Sequence, residues 1–463
     1  MKDSKAKKVL DSIIINTKKL YYIDTRQKKS GYFFIYIPFK HYCVILGILS
    51  VIFLASLYHK YSIFKNLQQG LSFEAIVVNH YPKTPTKKGN FSENFKLQDS
   101  SGNVFYATYK GRFKNIIGKK VRVYGKIYKC SFLQFLKSCR IYNSTISLVS
   151  VSDPKKILTN FIKNQHESSF SSNLYNALFF AETLAKPVRD ASVALGLAHL
   201  IAISGFHLSA LLIMFFAIIS PFYFIFHKFY CYRNAYYDLG FLGLIFAFFY
   251  LLLIDFEPSF LRAFIMSCAY FLILLSGLRI FSFLNLFLCV FLAVAFNPSL
   301  LFHIGFLLSV SGVFFIFLFV RHIQPLLNSK NLARKIIYGI LLFDIIIFLQ
   351  MMPVVHFFFP YFSLYQLVSI PLSIVFFALF PLLVFLHLIG KGNIFDSIIE
   401  SCIAHNFFLS EVSTPLWLLL IYIIFSLLGI RYKVLYFITI IFSLLFYIYN
   451  CFVFFDSMKN AQI

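Results

Sequence analysis

One stretch limits what this chain can become more than any other: an apolar run from 191 to 226 with a knot of polar residues near its start. The run is about 36 residues long, whereas one bilayer span takes about 20. Within it lies Gly196-Leu-Ala-His-Leu-Ile-Ala-Ile-Ser-Gly-Phe-His-Leu-Ser209. Backbone cannot break where it faces lipid, because freed N–H and C=O groups would have no partner. His199, Ser204, Gly205, His207 and Ser209 therefore mark a half-helix, a break and then a full span beside something hydrated.

The rest of the chain suits that setting. Hydrophobic residues make up 59% of it and charged residues only 13%, about half the charge of a soluble domain. The expected class is a polytopic α-helical membrane protein with a small extracytoplasmic β-barrel (OB-like) domain. A basic leader, 1–40, precedes a first span near 42–58 and places the N-terminus in the cytoplasm. A soluble stretch, 60–152, follows, then a linker with helical patterns, 153–190. A transmembrane domain covers 191–390, and a loop with further spans covers 391–463. After the central stretch, spans are expected near 207–226, 237–254, 260–278, 280–297, 300–320, 336–352, 364–389, 416–430 and 434–455. The charge rule orients the earlier loops, but past 336 it does not decide.

The soluble stretch reads as five short strands, 73–78, 95–98, 104–109, 121–128 and 141–151, with a hairpin turn at 99–103. That number of strands fits a small barrel, and a sandwich fragment is the alternative. Between Lys60 and Lys163 there are about 19 basic against about 4 acidic residues. Lys110, Arg112, Lys114, Lys119, Lys120, Arg122 and Lys126 form the densest part, with Tyr109 and Tyr124 among the interleaved rings. Cations for phosphates and ring faces for bases suit a single-stranded nucleic-acid groove. A basic face beside anionic lipid headgroups reads the same way. The net charge of +25 sits largely where orientation does not explain it, so this domain wants an anionic partner.

Eight cysteines carry no metal-binding spacing. Six lie in or beside apolar spans, whereas Cys130 and Cys139 sit in the outer domain. An oxidising compartment allows them to pair, although spacing alone does not fix the connectivity. No phosphate-binding Gly-rich loop and no His-x-His-x-Asp-His cluster occurs. No catalytic residue, metal or cofactor is expected.

Single polar residues at depth are costly and invite a functional reading. Arg262 either snorkels to the interface or lines a polar pathway. Ser309 packs between helices or faces that pathway, and Asp344 is a buried pairing partner or a transport group. Ala202-Ile-Ser-Gly205 has the look of an intramembrane serine hydrolase setting with His207 as base, but the rest of such a pattern is missing.

Gly196 to His207 resembles the competence-domain signature of the ComEC family, membrane channels that import single-stranded DNA in transformable bacteria. Pro258-Ser-Phe-Leu-Arg-Ala263 and Asn297-Pro298 followed by Gly305-Phe-Leu-Leu-Ser309 resemble its later helices. The resemblance implies an inner-membrane channel for DNA, with an outer OB-like domain binding the strand. It implies His199, Ser204, Gly205, His207, Arg262 and Ser309 as candidate pore residues. The implied partners are single-stranded DNA, a surface DNA receptor, a cytoplasmic helicase or single-strand-binding proteins, membrane lipids, and a second copy of the chain as a homo-oligomer. Three positions depart from the family pattern: Ala181 for Gly, Leu307 for Gln, and Gln366 for Asn. Many members carry a metallo-β-lactamase-like domain at the C-terminus; this sequence stops at 463 without one, so any nuclease is expected to be a separate protein, or to be absent. A transporter or flippase for an anionic lipid-linked glycan is the reading from another class.

Overall fold

The computed structural model describes residues 39–461 except 71, 83–91, 100–101, 111–115, 117, 128, 150–154, 228–233, 276–282, 327–331 and 406. The leader and the candidates Arg112 and Lys114 lie outside the described residues.

Helix α1, Phe39–Gln69, begins in the first expected span but does not stop at 58. Its last turns carry Phe64 and Leu67 into the core of the barrel. The barrel is closed, in the order β1-β2-β3-β5-β4, and β1 pairs with both β2 and β4. Its strands are β1 Ser72–Pro82, β2 Ser92–Asp99, β3 Val104–Lys110, β4 Lys120–Ile127 and β5 Cys139–Leu148. Closure leaves no edge strand, and the arrangement fits an OB-like domain. β4 shows the cause most plainly: Val121, Val123, Gly125 and Ile127 point inward, while Lys120, Arg122, Tyr124 and Lys126 point out. Period-two alternation in the sequence became the two faces of the wall. Between β4 and β5 lies a short helix absent from the expected strand pattern, α2, Phe132–Lys137, opened by a capping box between Ser131 and Gln134. Cys130 and Cys139 are joined in a disulfide that closes this loop.

Helices α3, Lys155–Lys163, α4, Ser169–Phe180, and α5, Lys186–Ala194, lead to the broken helix. It consists of α6, Ala198–Ile201, and α7, Gly205–His227. The bundle continues with α8, Ala235–Leu253, α9, Pro258–Leu275, α10, Phe283–Phe296, α11, Ile304–His322, and α12, Leu332–Phe358. A two-residue strand β6, Tyr361–Phe362, precedes α13, Ser369–Leu388, and α14, Asp396–Ala404. Strand β7, Ser410–Glu411, then pairs antiparallel with β6, and α15, Leu416–Leu428, and α16, Lys433–Ala461, follow. Among the described residues seven helices are long and apolar enough to cross a membrane, and three shorter apolar helices accompany them. Together they fall on the expected spans.

The barrel is fastened to the bundle by a buried polar joint. Lys60 Nζ of α1 donates to Asn103 Oδ1 at 2.7 Å, and Ser299 Oγ, in the 3₁₀ turn after α10, donates to the same oxygen at 3.1 Å. Asn103 donates in turn to Asp99 from backbone and side chain, both at 2.7 Å. Unpaired, each of these groups would be costly in such a place; joined, they fix the barrel over the membrane domain.

α4 ends at Ala181 in the left-handed conformation, φ 55°. Glycine is favoured there because alanine's Cβ strains that geometry. This explains physically why alanine is the departure at this position. Ala181→Gly is expected to stabilise the protein by about 1 kcal/mol, read as a higher melting temperature in detergent.

Candidate functional site: the broken helix

The break is assembled from a stop signal and a start signal. α5 closes with Gly196 at φ 68°. The Leu197 N–H donates to the Ser192 carbonyl and the Gly196 N–H to Val193, the paired bonds of a Schellman ending. A Cβ on Gly196 would lie 3.1 Å from the Gln366 backbone, so glycine serves both conformation and close approach. Gln366 is the amide that locks this corner. Its Nε2 donates to the Tyr361 carbonyl at 3.0 Å and more weakly to Val193 at 3.4 Å, tying the end of α5 to β6.

α6 is one turn long, and His199 within it is hydrogen-bonded to the Gly196 backbone and exposed on the protein surface. The chain then extends through Ala202 and Ile203 to Ser204, which starts α7. Ser204 Oγ accepts the Phe206 N–H at 3.3 Å, and His207 Nδ1 accepts the Ser204 N–H at 3.3 Å. Ser204 caps the N2 amide while His207 at N3 reaches back to the N-cap N–H, a variant of the capping box with histidine in the position usually held by Glu or Gln. Two backbone donors that would be orphaned inside the membrane domain are thereby satisfied. His207 itself is 0% exposed and sits among the Phe206, Phe376 and Phe380 rings, the last 4.9 Å away and nearly perpendicular. With Nδ1 accepting from the backbone and Ser204 Oγ 3.4 Å away, the pair is built as a cap.

Arg262 of α9 lies against the same start. It is 5% exposed, Nη1 donates to Met266 Sδ at 3.1 Å, and Nε has no partner among the described residues. A Cβ on Gly205 would meet Ala263 Cβ at 3.2 Å and Arg262 Nη2 at 3.7 Å. Only a small residue at 205 lets α7 and α9 approach this closely. A guanidinium beside a helix N-terminus puts two positive features together, since the helix dipole presents about half a positive charge there. Anions are the natural complement.

The structure thus brings Ser204, Gly205, His207 and Arg262 into one group, with His199 at its edge. Ser309 lies on α11, whose first turn meets α9 near Gly305 and Ser259. Among the described contacts it makes no hydrogen bond to that group. Asp344 is hydrogen-bonded to Ser373 of α13. In the barrel, Tyr124 is 50% exposed, whereas Tyr109 packs on the core. Lys119, Lys120, Arg122 and Lys126 are exposed, but Lys120 and Arg122 both pair with Glu74, at 2.8 and 2.9 Å. Those two cations hold the Glu74 carboxyl below the ordinary carboxylate range. Lys110 ends β3.

At the outer end of α9, Glu257 is pushed up to about 7 by burial, with Lys155 opposing the shift. Lys155 itself bonds Asp255 at 2.9 Å. Between the ordinary carboxylate value and about 7, the fold holds a proton that the unfolded chain releases. Stability therefore falls as pH rises through that window and is level above it. The melting temperature is expected to be higher at pH 5.5 than at pH 8, and Glu257→Gln should flatten that difference.

A sequence-family model described as competence protein matches residues 179–456. No curated protein and no solved structure gives a significant match. Helices, break and match together define a multi-pass inner-membrane protein of the DNA-uptake class. The chain belongs to the competence protein family of ComEC type, and its role is in DNA uptake during transformation. The barrel, residues 72–148, lies outside the matched region.

Proposed function

We propose that the chain forms the inner-membrane channel through which a single DNA strand enters the cell, and that the broken helix holds the strand's phosphates in passing. The observation that carries this reading is Arg262, buried and without an acidic partner among the described residues, set against the first turn of α7. An isolated cation at membrane depth is expensive unless a ligand or pathway requires it. A phosphodiester moving past would meet the guanidinium and the helix N-terminus together. Ser204 and His207 keep the break open by satisfying its backbone, and His199 supplies a polar contact at the edge.

In this reading the barrel presents Lys119, Lys120, Arg122 and Tyr124 outward to capture the strand by charge and stacking. A receptor at the surface delivers DNA, and a helicase or single-strand-binding protein in the cytoplasm draws it through. Labelled DNA followed into the cytoplasm of a deletion strain tests the channel: entry at the normal level would rule it out. Single-strand binding by the full chain in nanodiscs tests the capture face. Removing Lys119, Lys120 and Arg122 should weaken binding and make the salt slope shallower by roughly 0.7 per lost phosphate contact.

A further inference from the structure

The barrel is charged at both ends, and the two ends face different surroundings. α1 passes directly into β1, whose first residue, Ser72, pairs with Tyr124 of β4. The Asp99–Asn103 turn is bonded to Ser299 of the membrane domain. Phe132 of α2 packs against Tyr61 and Phe64 of α1, at 5.4 and 5.8 Å. The end of the barrel that carries Lys126, α2 and the start of β5 is therefore the end at the bilayer. Lys119 and Lys120 lie at the opposite end of β4.

At the bilayer end the loop closed by Cys130 and Cys139 borders a shallow, open cavity of ≈ 290 Å³, lined by Lys129, Gln134, Lys137, Arg140 and Tyr142. Lys129, Lys137 and Arg140 make no ion pair or side-chain hydrogen bond among the described residues, unlike Lys120 and Arg122 at the far end. Leu133, one helical turn before Lys137, is 70% exposed, and Tyr58 of α1 is 75% exposed. Tyrosines, an apolar side chain and unpaired cations at one level are the signature of a bilayer interface. A solvent-facing nucleic-acid groove gives no reason for the bare leucine.

We infer that this cavity seats the phosphate headgroup of an anionic phospholipid, with Leu133 set into the acyl boundary, so that a lipid holds the barrel to the membrane surface. Three cations converge on one anionic group; the disulfide closes the loop that carries Lys137 and joins the two positions, Cys130 and Cys139, that Lys129 and Arg140 flank. The inference does not rest on the DNA reading. It divides the basic residues of the barrel into a membrane-facing set and a solvent-facing set.

Hydrogen exchange of the full chain tests it in nanodiscs of phosphatidylcholine alone and of phosphatidylcholine with phosphatidylglycerol. Amides in 129–142 should exchange roughly fivefold more slowly when phosphatidylglycerol is present. Lys129→Gln with Lys137→Gln and Arg140→Gln should abolish that difference while the β4 amides stay protected. Lys119→Gln with Lys120→Gln should leave it intact. No dependence on phosphatidylglycerol overturns the inference, as does equal loss in the Lys119/Lys120 variant. Protection of 129–142 by a single-stranded oligonucleotide in phosphatidylcholine alone also overturns it, and would assign the cavity to DNA instead. DNA import can fail or survive in these variants without altering the lipid result, so the two readings are tested separately.

Discussion

Arg262→Gln should lower DNA import by roughly 10- to 100-fold, because a hydrogen bond to a charged group is worth about 1.5–3 kcal/mol. The same variant should melt at the wild-type temperature or above it. The guanidinium is buried with Nε unpartnered, and removing an uncompensated buried charge relieves the fold rather than weakening it. Loss of import with retained stability is the signature of a group kept for its ligand. Labelled DNA uptake and thermal unfolding of the purified protein decide the matter together. A variant that unfolds early, with import falling only in step with protein level, would make Arg262 a packing residue.

Gly196→Ala should be strongly destabilising. A left-handed alanine costs about 1–2 kcal/mol, and the new methyl would press on the Gln366 backbone 3.1 Å away, adding roughly 1–3 kcal/mol of overpacking. Gly390 is the internal control, because it has a similar φ, 77°, and a methyl added there would meet nothing within 4 Å. Gly390→Ala should cost only the conformational share. Equal melting losses for the two would show that Gln366 yields easily. A much larger loss at 196 would show that the corner between α5 and β6 is rigid.

The parts of this protein written in local pattern were legible in the sequence. Alternation at 120–127 gave a strand with a basic outer face, and apolar length gave the helices. The impossibility of bare backbone in lipid placed a break at 196–209. What could not be read was pairing over distance. His166 meets Asp396 at 2.9 Å and His387 at 3.2 Å, and Tyr175 stacks on His166 at 4.8 Å. These residues are scattered from 166 to 396, and no spacing rule joins them. Lys60, Asn103 and Ser299 meet for reasons of tertiary packing alone. Gln366 did leave a trace, as a departure from the family pattern, but its bonds to Tyr361 and Val193 explain the need for an amide there. The polar character of Ser204 and His207 was plain. Their use as a reciprocal cap required geometry, because a serine three residues before a histidine also fits a nucleophile and its base.

The β6–β7 ribbon settles a matter of counting. Tyr361 and Phe362 pair with Glu411 and Ser410, so the end of α12 and the start of α15 lie on the same side of the bundle. The return from 389 to 409 contains Lys391, Asp396, Glu400 and a nine-residue helix, which is no crossing. α13 leads away from this ribbon and the polar segment leads back to it, so whatever the depth α13 reaches, the number of traverses between β6 and β7 is even. With an even count there, the charge rule expects Arg431 and Lys433, at the turn between α15 and α16, on the cytoplasmic side. The charge rule, undecided past 336 when the segment from 364 to 409 was counted as a single traverse, is then met at this turn as well.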